Sequence, residues 1–150
     1  MILTKRGMWM DKKGNESKKE YLNRYRDNKE AAQRIEEQIR EFERYETTPR
    51  VISLDGMRHG SRAKKDLSDY AAKKDALMTE MIQARYRRIN VYTDIFRAIE
   101  EMADERERQI LTYRYIQCLK WEEIAIKMNV EWAQVHRIHA KALEHFKIPD

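Results

Sequence analysis

The chain has 150 residues, 41% hydrophobic and 38% charged, with 4 Gly, 2 Pro and a net charge of +5. That size allows one domain or two small ones, and so many charges with so few helix breakers favour long solvated helices over packed sheets. The single cysteine, Cys118, excludes a disulfide framework and a cysteine-based zinc site and suits a reducing compartment; no apolar run approaches the roughly 20 residues of a membrane span, so no membrane partner is expected.

Residues 1–17, from Met1 through the polar GNESKK stretch, lack an apolar core for a signal peptide and read as a flexible tail, with Met8 and Met10 as alternative starts to Met1. From Lys18 to Glu46 the apolar residues Leu22, Tyr25, Ala32, Ile35, Ile39 and Phe42 recur at helical spacing. Thr47-Thr48-Pro49 ends that helix, because a residue preceding proline avoids the α region. A loop at about 47–62 follows, marked by Asp55-Gly56 and His59-Gly60-Ser61. Periodicity then resumes at Leu67 and runs through Tyr70, Leu77, Met81, Ala84, Ile89, Tyr92, Phe96, Ile99 and Met102 with no Gly or Pro. A helix of about 40 residues spans ~60 Å. Residues 18–103 thus predict a long antiparallel helical hairpin of coiled-coil type. The hairpin is either a purely structural arm or a surface for dimerisation or partner docking. The second reading has weight because two helices alone bury little.

Asp104, with Glu107 three residues on, is a capping signature and opens a third domain over 104–150. Its first helix runs past Ile110, Leu111 and Tyr115 and gives out near Gln117–Lys120. The twenty residues from Trp121 have the length and spacing of a helix-turn-helix. Ala125 stands fifth, where the second helix crosses closely. Asn129 stands ninth, where the turn needs a residue tolerant of positive φ. Ile124, Met128, Val130, Val135 and Ile138 fill the inward positions, and Val130 with Val135 form a hydrophobic staple around a cap at Glu131, with Gln134 able to return a capping-box bond. A generic helical hairpin requires neither the Ala nor the Asn at those places. The fold class is therefore all-α: a long hairpin followed by a helix-turn-helix domain.

These residues carry a resemblance. Arg106–Ile110, Arg114-Tyr115, Glu122-Glu123-Ile124-Ala125 and Ile138 to Leu143 resemble region 4 of bacterial sigma factors. The hairpin and linker ahead of them resemble small phage and prophage late-gene regulators of the RinA/ArpU type. The resemblance implies a cytoplasmic, prokaryotic DNA-binding protein acting in transcription, with RNA polymerase as a further candidate partner. It implies that a recognition helix over about 131–146 enters the major groove of double-stranded DNA. Carried over position by position, Trp132, Ala133, Gln134, His136 and Arg137 would face base edges. Gln134 suits adenine, and Arg137 suits guanine or a phosphate. Arg114, Lys120 and Lys141 would hold phosphates. Cys118 and Lys120 depart from the pattern, standing where Gly and Ser or Thr are usual, and Trp132 stands where polar residues are common.

Residues 104–150 carry eight basic and eight acidic side chains. A neutral reader lacks the charge for tight binding by one copy, so binding as a homo-oligomer through the long helices, or alongside polymerase, is expected to supply the missing phosphate contacts. The competing reading is a protein-interaction module that binds polymerase or a regulatory partner without reading DNA. His136 and His139 lack a third convergent ligand, so no metal is expected. No nucleophile, phosphate-loop or dinucleotide motif is present, so neither a cofactor nor an enzymatic function is expected.

Overall fold

The computed structural model describes the backbone of residues 5–47 and 60–150, and the side chains of 14–44 and 67–150. The order is α1 (Lys5–Thr47), α2 (Gly60–Glu100), α3 (Glu105–Leu111), a π-helical turn (Thr112–Ile116), α4 (Trp121–Met128) and α5 (Trp132–His145). No strand occurs among the described residues. The all-α class and the order of long helices before a short-helix domain are those read from the sequence. Within the expected loop, residues 48–59, and with them Asp55-Gly56 and His59, lie outside the described residues.

Two boundaries differ from expectation. The segment read as a tail through residue 17 is helical from Lys5 onward. Its lysines, methionines and Glu16 are good helix formers, and Gly7 and Gly14 are its only glycines before Lys18. α2 likewise begins at Gly60, inside the span read as a loop to about residue 62. By compactness the chain forms two units, one holding 1–28 with 88–150 and the other 29–87.

In the first unit, one core joins both long helices to the three short ones. Leu22 of α1 and Val91, Ile95, Ala98, Ile99 and Met102 around the end of α2 are buried with Ile110, Leu111 and Tyr115. Ile124, Val135, Ala142, Leu143 and Phe146 complete it. Each of these is apolar at helical spacing, and the short helices alone have too little apolar surface to close a core. Tyr25 of α1 also packs edge-on to Tyr92 of α2 at 5.5 Å.

In the second unit, α1 and α2 run antiparallel around Ala32, Ile35, Ile39 and Ala84, with Leu77 and Met81 partly buried beside them. Phe42 stacks on Tyr70 at 4.5 Å, and Glu36 holds Arg85 at 2.8 Å. Low numbers on α1 meet high numbers on α2, the pairing of a hairpin.

Candidate nucleic-acid interface

The short helices are fixed by their ends. Asp104 caps α3: its Oδ1 accepts from the backbone N–H groups of Arg106 at 2.9 Å and Glu107 at 3.1 Å. Those two bonds, with Lys141 and Arg106 nearby, hold the Asp104 carboxyl below its ordinary range, the Glu107 N–H contributing most. Glu107 does not complete the expected capping box. Its carboxylate is 3% exposed and bonds Nδ1 of His145 at 2.8 and 3.0 Å. A buried carboxylate needs a partner, and His145 at the end of α5 is that partner.

α3 passes into the π-helical turn, where Gln117 N–H donates to Thr112 O at 2.9 Å. Cys118 then adopts φ 58, and Leu119 N–H closes the helix end on Tyr113 O at 3.0 Å. The left-handed backbone explains why glycine is the usual residue here. Lys120 caps α4 through its backbone alone, its N–H donating to Glu123 Oε2 at 2.7 Å. A lysine side chain offers no acceptor, so only the Glu123 half of a capping box forms.

The turn between α4 and α5 is as the sequence predicts. Asn129 lies at φ 52, ψ 51. Val130 N–H bonds Ala125 O at 3.1 Å and Asn129 N–H bonds Ile126 O at 3.2 Å, the bond pair of a Schellman ending. Val135 is fully buried and Val130 half-buried. Glu131 makes no side-chain cap bond. Its carbonyl accepts from Gln134 and Val135, and Gln134's side chain is exposed.

α5 sorts the expected DNA-facing residues into two groups. Ala133, Gln134, Arg137 and Lys141 line one shallow groove with Glu131 and Ile138. Their spacing places them away from the buried line Val135–His139–Ala142. Trp132 is 58% exposed at the first turn. His136 belongs elsewhere. Its ring lies 4.2 Å from the Trp132 ring and 4.8 Å from that of Trp121, and its Nε2 is buried without a hydrogen-bond partner. Four residues after Trp132, its side chain lies back over the preceding turn and packs between α5 and Trp121 of α4.

Arg114 is likewise committed inside the domain. Its Nη1 donates to Leu119 O at 2.8 Å, and its guanidinium lies 4.4 Å over the Trp121 ring. The planar fork both closes the π-helical turn and clamps the first residue of α4. Lys120 is exposed and its ammonium makes no hydrogen bond among the described residues. Lys141 is exposed on the groove.

Several supports were not legible in the sequence. Trp121 also packs on His139, ring centroids 4.8 Å apart, and the Tyr115 hydroxyl and His139 Nε2 share a buried 2.9 Å bond. Burial, then the positive charge of Lys19, His136 and Arg114, lowers His139 to about 4. Burial raises Tyr115 to about 12. Lys18, from α1, donates to the carbonyls of Leu143 at 2.6 Å and Glu144 at 3.0 Å, a favourable cation at the C-terminus of α5. His136 and His139 gave a signal, being one turn apart, but a partner 125 residues away in sequence gives none.

Residues 104–147 match the family model described as Sigma-70, region 4. That family is a DNA-binding helix-turn-helix of transcription, which supports DNA binding by this segment. The match covers less than half of the chain and leaves out both long helices. No curated protein matches the chain, and no solved structure does.

Proposed function

We propose that the chain is a sequence-specific, non-enzymatic binder of double-stranded DNA in transcription control, of phage or prophage type, with α5 as the helix that enters the major groove. The observation that carries this reading is the outward groove of α5, where Ala133, Gln134, Arg137 and Lys141 lie together on a helix of a sigma-70 region 4 domain. Gln134 is suited to adenine and Arg137 to guanine, while Ala133 is small enough to admit a thymine methyl. Trp132 extends the apolar contact at the first turn. Lys141 on the groove and Lys120 at the start of α4 are the phosphate contacts. His136 and Arg114 serve as positioning residues in this scheme and touch no DNA. Two copies joined through the long helices double the phosphate contacts that a neutral domain lacks in single copy.

Selection of bound duplexes from a random pool at two salt concentrations tests it. The expected result is an enriched motif whose retention falls steeply with salt. A Gln134→Ala/Arg137→Ala double variant is expected to lose the motif and to keep its fold. If the double variant still enriches the same motif, α5 is not the reader.

One observation favours a second reading. Ile126, on the outer side of α4, is 81% exposed and lies near the Trp-bearing turn in sequence. Exposed Ile126 and Trp132 on a neutral domain fit a protein partner such as RNA polymerase. Retention of no duplex at either salt, with polymerase captured by the wild type and lost in Ile126→Asp, is the outcome that selects this reading.

A further inference from the structure

Within the unit spanning 29–87, α2 carries two apolar stripes. One, Leu77–Met81–Ala84, packs on Ala32, Ile35 and Ile39 of α1. The other faces away. Ala71, Asp75, Met78, Ile82 and Arg85 recur at alternating intervals of four and three, the spacing of a heptad seam. Every one of them is exposed, Met78 at 38% and Ile82 at 64%, with Tyr86 beside them.

We propose that this second stripe is a self-association surface, on which α2 of another copy of this chain packs antiparallel. The seam charges decide the orientation. In a parallel pair each seam position meets itself, so Asp75 would face Asp75 and Arg85 would face Arg85. In an antiparallel pair with its two-fold axis level with residue 80, Met78 meets Ile82 of the second copy. The same register sets Asp75 against Arg85 of the second copy. One alignment therefore matches the apolar layers and the charged layers together, each twice. Arg85 is prepared for this: its Nε and Nη2 hold Glu36 of its own chain at 3.1 and 2.8 Å, and its Nη1 makes no bond among the described residues. The second copy's Asp75 completes a Glu36–Arg85–Asp75 chain.

The thin core of this unit gives the same direction. Among the described residues its buried apolar side chains are Ala32, Ile35, Ile39 and Ala84. Pairing two hairpins replaces a two-helix layer by four helices around a wider core. A second copy is the occupant because the seam is complementary to itself. An unrelated helix would need to supply both the apolar and the opposite-charge layers in the same order.

The proposal deepens the oligomer part of the reading above and rests on none of its DNA part. The test uses the full chain without DNA, so its failure leaves DNA binding to be decided separately. Ile82→Asp and Met78→Lys are made separately at exposed positions, with circular dichroism to verify unchanged helix content. Sedimentation velocity at micromolar concentration is expected to show a wild-type dimer. Each single variant is expected to weaken association on the order of a hundredfold, because each buries two unpaired charges. An equal mixture of the two variants is expected to restore the dimer, since the crossed register sets the two substituted positions against each other. A monomeric wild type overturns the proposal. Single variants that remain dimeric overturn it by placing the contact elsewhere. A dimeric wild type with a variant mixture that stays monomeric overturns the antiparallel register.

Discussion

His139 is the residue whose chemistry depends most on its surroundings. It sits between Trp121 and Tyr115 with its Nε2 bonded to a phenol, and it is held at about 4 against an ordinary 6.5. Below 6.5 the unfolded chain takes up a proton that the folded chain refuses until about 4. Stability is therefore complete above that window and falls as pH drops through it, by on the order of 3 kcal/mol. Urea denaturation between pH 7 and pH 4 checks this, and His139→Phe is expected to flatten the slope. Tyr115 acts at the other end. Its raised value, about 12 against 10.0, makes stability fall as pH rises through that range. Cys118 gives a prediction of the opposite kind. With a side chain at φ 58, it carries strain that glycine avoids, so Cys118→Gly is expected to raise stability by about 0.5–1 kcal/mol, read as a higher thermal midpoint.

At the scale of elements, the position of α5 is set by what its ends and inner face touch. Lys18 holds its last carbonyls, Glu107 holds His145, and Trp121 fills the angle against α4 through His136 and His139. Lys18→Met keeps the aliphatic stem and removes the ammonium. It is expected to cost about 1 kcal/mol of stability, measured by denaturant titration. The two lysines assigned to DNA give a different signature. Lys120→Ala is expected to leave stability unchanged and to reduce the slope of log affinity against log salt by about 1 per bound copy. A Lys120→Ala chain with unchanged salt slope removes Lys120 from the phosphate contacts.

For the whole molecule, the decisive fact is that the region 4 match begins at residue 104 while the core it belongs to begins at Leu22. Leu22, Val91, Ile95, Ala98, Ile99 and Met102 are buried in one core with residues of α3 and α5. A fragment of residues 104–150 is therefore expected to lack a cooperative thermal transition that the full chain has. Ile95→Ala, nine residues ahead of the match, is expected to cost about 2–4 kcal/mol, read by the same melt. Each long helix thus contributes residues to both compact units.

What the sequence determined by itself was local. Helical spacing named both long helices, Asp104 named the start of α3, and Asn129 named the left-handed turn, because each signal lies within one or two turns of the residues it governs. The set Ala133, Gln134, Arg137 and Lys141 was legible for the same reason: one helix face follows from spacing alone. Tertiary structure decided the rest. The sequence placed His136 and Arg114 among the DNA contacts, but packing turns both toward Trp121. The extent of the core was hidden as well, since no spacing rule brings Leu22 to Phe146 or Lys18 to Leu143. Burial is a sum over distant neighbours, and a pattern along one chain segment records which face is apolar without recording what covers it.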